Sequence, residues 1–368
     1  MIVLKRHTSW VQPVTLRIPQ ELVDHIVDYL RDEPASLRAC STICSTFLPR
    51  SSAYILRTLR LHTTQLIPFL PVLATSRRLS HYVVECHIVD DEARVLTPNA
   101  LYNTILLLPR LQALVFVGPF RMFSSSTVLP PSRARHPLRS LRFEFLHVDL
   151  VESVLELFKR VDDLYINGRY IDGSLAAPRI VGEVRHLHVR LDSRYLCAML
   201  KLFRPSCLAS IELDCTPAAP VKPHDLDQFL QIYGAAIEKL TLKLPQAGIE
   251  PARSIASLGA CAKLQEISLS MSALRAHASL LPSVPPQVRR VRLDFTDTYG
   301  SFAHRCQWET LEAALAHAER LQVLELRFAA FESAVPQDHA DAIRGRLSPR
   351  LRRIVRMVVG GLGGGGHW

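Results

Sequence analysis

The sequence predicts an α/β chain: three short N-terminal helices, then an irregular solenoid with parallel strands inside and helices outside. Three observations carry this. A unit of one apolar residue, two variable, one apolar, one variable and one apolar recurs ten times from residue 83 onward, with an imperfect eleventh. Stretches of helical period stand between the copies. Residues 14–62 follow another rule, with apolar residues at helical spacing and a proline near each restart. Alternation with period 2 marks a strand and period 3.6 a helix. A strand-plus-helix unit covers neither of its apolar faces until neighbours stack on it, so repetition implies an array.

In chain order, residues 1–13 lack a pattern and are expected to be disordered. Pro19 suits the first turn of a helix, where its missing N–H costs nothing. Behind it Leu22, Val23, Ile26, Val27 and Leu30 make one apolar stripe. Pro34 restarts the chain, and Leu37, Cys40, Cys44 and Phe47 give a second stripe. Pro49 allows a third start, with Ile55, Leu56 and Leu59 apolar. Three short helices in about 45 residues enclose little core alone, so they need a partner surface.

The order of these residues resembles an F-box. That pattern opens with an apolar residue and Pro, continues through Glu-Leu and Ile-x-x-x-Leu, and closes on apolar-Cys-x-x-aromatic. Ile18-Pro19, Glu21-Leu22, Ile26 to Leu30, Leu37 and Ile43-Cys44-Ser45-Thr46-Phe47 fill these places, with Phe47 where the family most often has Trp. It is most similar to the short F-boxes of large fungal families. The resemblance implies docking on a Skp-type adaptor, within a Skp–cullin–F-box ubiquitin ligase, through Ile18, Pro19, Leu22, Ile26, Leu30, Leu37, Ile43, Cys44 and Phe47. Read without it, the segment is a helical cap on the solenoid.

Residues 63–80 read as a linker helix bent by Pro68 and Pro71. The array then occupies 81–359. Its copies are Val83/Cys86/Ile88, Leu111/Leu114/Phe116, Leu138/Leu141/Phe143, Val161/Leu164/Ile166 and Val184/Leu187/Val189. The series continues through Leu208/Ile211/Leu213, Ile237/Leu240/Leu242, Leu264/Ile267/Leu269, Val288/Val291/Leu293 and Leu321/Leu324/Leu326, with the eleventh beginning Leu351/Ile354. Helical patterns lie at 101–108, 151–158, 195–203, 226–233, 274–281 and 308–316. Residues 118–137, with three serines and two adjacent prolines, read as a mobile insertion. The glycine-rich 360–368 is expected to be a flexible tail.

Successive copies start 23 to 33 residues apart, mostly near the 20–29 of leucine-rich repeats, which the array resembles. That family places Asn three residues after the last apolar position to tie the turn. Here Pro119, Leu146, Arg169, Asp192, Thr216, Pro245, Ser272, Thr296 and Ala329 stand there, so irregular turns are expected.

In such an array the residues between and just after the buried strand positions face the concave surface. The candidate substrate-facing residues are therefore Arg142, Glu144, Tyr165, His188, Arg190, Glu212, Asp214, Lys243, Arg292, Asp294, Glu325 and Arg327. Five are cationic and five anionic. A phosphate-tracking groove needs one sign, so the formal charge of +10 does not by itself argue for nucleic acid. The surplus gathers instead at Arg344, Arg346, Arg350, Arg352, Arg353 and Arg356, expected to be a solvated face at the end of the array. His186 and His188 beside Glu212 and Asp214 have the composition of a metal site, but partner recognition or mutual charge satisfaction needs only the same residues. No metal and no cofactor are expected.

The eight cysteines include no Cys-x-x-Cys and read as free thiols. No Gly-x-Ser-x-Gly, Gly-Lys-Ser/Thr loop or His-Glu-x-x-His occurs, so no enzyme is expected. No run of about 18 apolar residues is present, which predicts a soluble chain of the cytoplasm or nucleus with no membrane partner. The function these readings imply is a non-catalytic substrate receptor of a ubiquitin ligase, holding an unknown protein substrate. The alternatives are a stand-alone repeat scaffold or, less favoured by the charges, a basic nucleic-acid-binding protein.

Overall fold

A computed structural model describes residues 18–90, 95–96, 98–118, 120–122, 136–144, 151, 154–168, 182–191, 203–215, 223–243, 256–271, 284–295, 308–328 and 337–359. Helices α1 (Gln20–Tyr29), α2 (Pro34–Ile43) and α3 (Leu48–Ile55) form the N-terminal module. Pro19 is the N-cap of α1, Pro34 opens α2 and Pro49 sits in the first turn of α3, all places that need no proline N–H. Val23, Val27, Leu37 and Cys40 are buried among the three helices. Arg50 of α3 grips Asp28 of α1 with both ends of its fork, at 2.7 and 2.9 Å, and Tyr54 donates to the same carboxylate at 2.9 Å. The Arg50 hydrogen bond, helped by Tyr54, holds the Asp28 carboxyl below its usual range.

The array begins earlier than the spacing predicts. β1 (Thr58–His62) is followed by α4 (Thr63–Thr75), α5 (Arg77–Tyr82) and β2 (Glu85–Val89). After them come β3 (Val95–Leu96), α6 (Pro98–Leu107), β4 (Ala113–Val117), β5 (Arg121–Met122) and β6 (His136–Glu144). The series continues with β7 (Phe158–Asn167), β8 (Glu183–Leu191), β9 (Ser210–Cys215), β10 (Lys239–Lys243) and β11 (Glu266–Met271). It closes with β12 (Arg290–Phe295), β13 (Val323–Phe328) and β14 (Val355–Val359). Apart from the small β3–β5 pair, the strands make one 12-stranded sheet in chain order. Every pairing in it is parallel. A parallel sheet in chain order is a leucine-rich-repeat-like solenoid, because each crossover runs back to start the next strand on the same side.

The last two apolar positions of each repeat face the helices. Leu114 and Phe116, Leu141 and Phe143, Leu240 and Leu242, and their counterparts form one continuous core with Leu101 and Ile105 of α6 and Leu230 of the helix Pro223–Tyr233. Aromatic rings stack between neighbouring repeats: Phe116 on Phe143 at 5.1 Å, and Phe295 on Phe328 at 5.2 Å. Such a core is additive from repeat to repeat rather than gathered at one centre.

Five expectations change. Leu59 belongs to β1, not to a third helix: Leu59 pairs with Cys86 and Leu61 with Ile88, so Leu56/Leu59/Leu61 is a further copy of the unit. Its i, i+3 spacing also suits a helix, which hid it. The segment 63–80 is no linker, since Leu66 and Leu73 of α4 are buried in the array core. Pro68 and Pro71 lie inside α4, and the carbonyls of Thr64 and Ile67 that they leave unbonded belong to exposed residues, where water serves. The insertion 118–137 contains β5 and the start of β6 where a loop was expected; residues 119 and 123–135 lie outside the described residues. The eleventh copy is Leu351/Val355/Met357, because the helix Pro349–Ile354 takes Ile354 and shifts the strand by one residue. The helix expected at 151–158 stops short, since Phe158 already begins β7. The helices expected at 195–203 and 274–281, the disordered 1–13 and the tail 360–368 lie outside the described residues, apart from Phe203.

Candidate functional site

Two surfaces are candidates, one on each part of the chain. On the N-terminal module, α1 divides its apolar stripe. Val23 and Val27 turn inward, while Leu22 and Ile26 stand 54% and 45% exposed. Ile18, one turn earlier on the outer line, is 51% exposed, and Ile43 at the end of α2 is 64% exposed. Gln20 reaches the carbonyl of Thr46 at 3.4 Å, which brings the start of α1 beside the loop that follows Ile43. Pro19 and Cys44 are exposed as well, and Leu30 and Phe47 are half-buried. The Phe47 backbone N–H draws the Cys44 thiol below its usual range. Leu37 departs from the expectation: at 2% exposure it packs the module's own interior and presents nothing to a partner. Tyr29 and Leu48, which motif matching overlooked, are exposed too; Tyr29 follows Ile26 at i+3 and was legible on that ground.

On the array, strand register lines the open face with rows of side chains. One row runs Arg142, Tyr165, His188, Glu212, Thr241, Ser268, Arg292, Glu325. The next runs Glu144, Asn167, Arg190, Asp214, Lys243, Ser270, Asp294, Arg327. All twelve expected substrate-facing residues fall in these two rows. A third row, Asp163, His186, Ser210, Lys239, Glu266, was not among them. Its signal was available, since each member immediately precedes the second apolar position of its repeat.

The rows are tied into a network. The Arg142 guanidinium lies 5.1 Å from the Tyr165 ring centre, and Tyr165 leans toward His188. His188 Nδ1 stands 3.2 Å from Glu212 Oε2, and Lys243 Nζ donates to Glu212 Oε1 at 2.5 Å. Farther along, Arg327 donates to Glu325 at 2.5 Å while Arg292 Nε lies 3.4 Å from the same oxygen. Lys239 pairs with Glu266 at 3.4 Å, and Arg190 stands 3.9 Å from Asp214. The hydrogen bond from His188, with Lys243 adding to it, brings the Glu212 carboxyl down to about 2. Burial pushes Glu325 up, but Arg327 and Arg292 outweigh it and hold it low. Asp214 and Asp294 end above their usual range, raised by burial more than their neighbouring cations lower them.

Between β7 and β13 this face sinks into an open groove of about 680 Å³. Ser210 and the buried Thr241 and Ser268 line it together with charged side chains. Of the four residues with the composition of a metal site, Glu212 binds His188 and Lys243, and Asp214 faces Arg190. Among the described residues no group of three or more His, Cys, Asp or Glu is arranged to hold a metal ion. Of the C-terminal arginines, Arg346, Arg350, Arg352, Arg353 and Arg356 are exposed, as expected, and Arg344 is half-buried; Arg350 also donates to the carbonyls of Ala316 and Ala318 and Arg352 to that of Leu347. No described helix is long and apolar enough to cross a membrane.

A pH experiment tests the network. Glu212 ionises at about 2 in the folded chain against an ordinary 4.5, so its contribution to stability is full above 4.5 and lost as pH falls toward 2. Glu212→Gln is expected to lower the melting temperature at neutral pH, with the gap to the parent chain closing between about pH 4.5 and 2. Thermal melts of both proteins across that window make the check.

No family model matches the chain, and no curated protein matches it. Among solved structures it is similar to the leucine-rich repeat-containing protein LegL7 from Legionella pneumophila. Identity is 14%, the match covers 83% of this chain and 91% of that one, and the TM-score is 0.46. It is similar also to a chain of the Rad7 and Elc1 complex in yeast, at 13% identity, covering 94% of this chain and 88% of that one with a TM-score of 0.33.

Proposed function

We propose that the chain is the substrate-receptor subunit of a Skp–cullin–F-box ubiquitin ligase. The module 18–55 docks on a Skp-type adaptor, and the open face of the array holds a protein substrate. The observation that carries this reading is the divided stripe of α1. Val23, Val27, Leu37 and Cys40 already close the interior of the module, yet Ile18, Leu22, Ile26 and Ile43 remain in water. Neighbouring apolar side chains left exposed in this way favour a partner that covers them. Their order is also the order of an F-box.

The mechanism is positional. Joining a docking module to a substrate-holding array brings the substrate's lysines to the charged ubiquitin carrier at high effective concentration, with no covalent intermediate on this chain. The chain itself performs no catalysis and works in the cytoplasm or nucleus. Mixed with a purified Skp-type adaptor, it is expected to co-elute as a one-to-one complex that a cullin then joins. A chain that elutes alone removes the reading and leaves a stand-alone repeat scaffold.

A further inference from the structure

The array ends on a strand that is covered on one side only among the described residues. β14 pairs with β13 and is the last strand of the sheet, so the backbone N–H and C=O groups of alternate residues point away from the ladder. The core is unfinished there as well. Leu324 and Leu326 of β13 are fully buried, whereas Val355 and Met357, which stand beside them in the register, are only half-buried. The surroundings of this edge are basic. Arg356 continues the open-face row after Arg292 and Glu325, and Arg352 and Arg353 lie in the last turn of the helix that leads into β14. All three arginines are exposed, and neither Arg353 nor Arg356 has a carboxylate partner among the described residues.

We propose that β14 takes up an extended segment of a partner polypeptide as a further strand, one in which acidic and apolar residues alternate. The two faces of the strand set the two halves of that pattern. On the core side, incoming side chains lie beside Val355 and Met357 and supply the cover that these two lack. On the open side they lie beside Arg356, where a carboxylate is the favourable cross-strand neighbour. Main-chain hydrogen bonds along the edge hold the segment, and the alternation selects it. β14 has five residues, so the added strand is about 17 Å long. Two other occupants fit less well. A second copy joined through the same edge brings the two Arg356 side chains onto one face, like charge beside like. A nucleic acid suits the arginines, but it completes no strand ladder and leaves Val355 and Met357 half covered. This edge is distinct from the adaptor-facing module and from the groove, and the inference does not rest on the ligase reading.

The test uses the full chain and two short fluorescent peptides, Glu-Val-Glu-Val-Glu and Lys-Val-Lys-Val-Lys, each flanked by serines. Fluorescence anisotropy is expected to show the glutamate peptide binding about fivefold or more tightly than the lysine peptide. Arg353→Glu with Arg356→Glu is expected to reverse that preference. Arg77→Glu with Arg78→Glu makes the same charge change on exposed residues of α5 and is expected to leave it as it was. Strand addition has a signature of its own. The peptide N–H groups that face β14 belong to alternate residues, so N-methylation of the glutamates or of the valines is expected to abolish binding in one case and spare it in the other. The proposal is overturned by a glutamate peptide that does not bind or binds no better than the lysine peptide. Equal effects of the two methylations, or of the two arginine pairs, overturn it too. So does a chain that binds a single-stranded oligonucleotide in place of the peptide, or one that elutes as a dimer and binds no peptide.

Discussion

Replacing Leu22 and Ile26 together by aspartate is expected to abolish adaptor binding while the array stays folded. Each of these side chains, once covered by a partner, is worth about 1.5–3 kcal/mol. Losing both costs on the order of a hundred- to ten-thousand-fold in affinity, before the penalty of burying two carboxylates is added. Both residues stand about half exposed in the free chain, so thermal stability is expected to move by no more than about 0.5 kcal/mol. Val23→Asp, on the inward side of the same helix, supplies the contrast. It places a charge inside the module and should unfold it, losing the adaptor together with the module's helical signal. Titration calorimetry against the adaptor, with melts of all three proteins, makes the comparison. Undiminished affinity in the double variant would refute the docking assignment.

Gly118→Ala is expected to be the most damaging single-methyl change in the array. Gly118 directly follows β4 with φ at 124°, a backbone conformation that L side chains rarely adopt. A Cβ there would stand 1.8 Å from the carbonyl oxygen of Asp90, which is backbone and has no free end to swing away. The same spot joins three repeats: the Asp90 N–H donates to the Val117 carbonyl at 2.9 Å, and the Gly118 N–H to that of Glu144 at 3.1 Å. Strain and displaced ladder bonds together cost about 3 kcal/mol or more. For a chain of 368 residues that is a melting-temperature drop of about 4 °C or more. The loss should begin between β2 and β6, where proteolysis would cut first. A variant that melts with the parent chain would show that this contact is not fixed.

The repeats were legible because each strand announces itself locally. Alternation such as Leu111/Leu114/Phe116 needs no knowledge of the neighbours, and the buried partners of those residues are other copies of the same pattern. Where local pattern and neighbour disagreed, the neighbour decided. Leu56/Leu59 fits a helix as well as a repeat, and only its pairing with β2 settles the matter. Ile354 and Val355 are both apolar, and the ladder to Leu324 selects Val355. The exposed apolar face of the N-terminal module was legible in composition but not in direction. Leu37 and Ile43 lie on one helix with similar apolarity, yet one is buried and the other open, because α3 packs against only one side of α2. The groove was legible in its residue types, since all three rows follow from the period, but the row of Asp163, His186 and Ser210 was passed over, and which residues stand side by side waited for the register.

By itself the sequence determined the unit, its number to within one copy, and the residue types that each strand offers to either side. It could do so because strand alternation is a property of a few adjacent residues. Only the tertiary structure decided which carboxylate takes which cation. Glu212 receives Lys243 from one neighbouring strand and His188 from the other, whereas Asp294, in the next row on β12, keeps one oxygen buried without a hydrogen-bond partner. Those pairings join strands dozens of residues apart in the chain, and charge is compensated through space, at distances set by the stacking of the repeats.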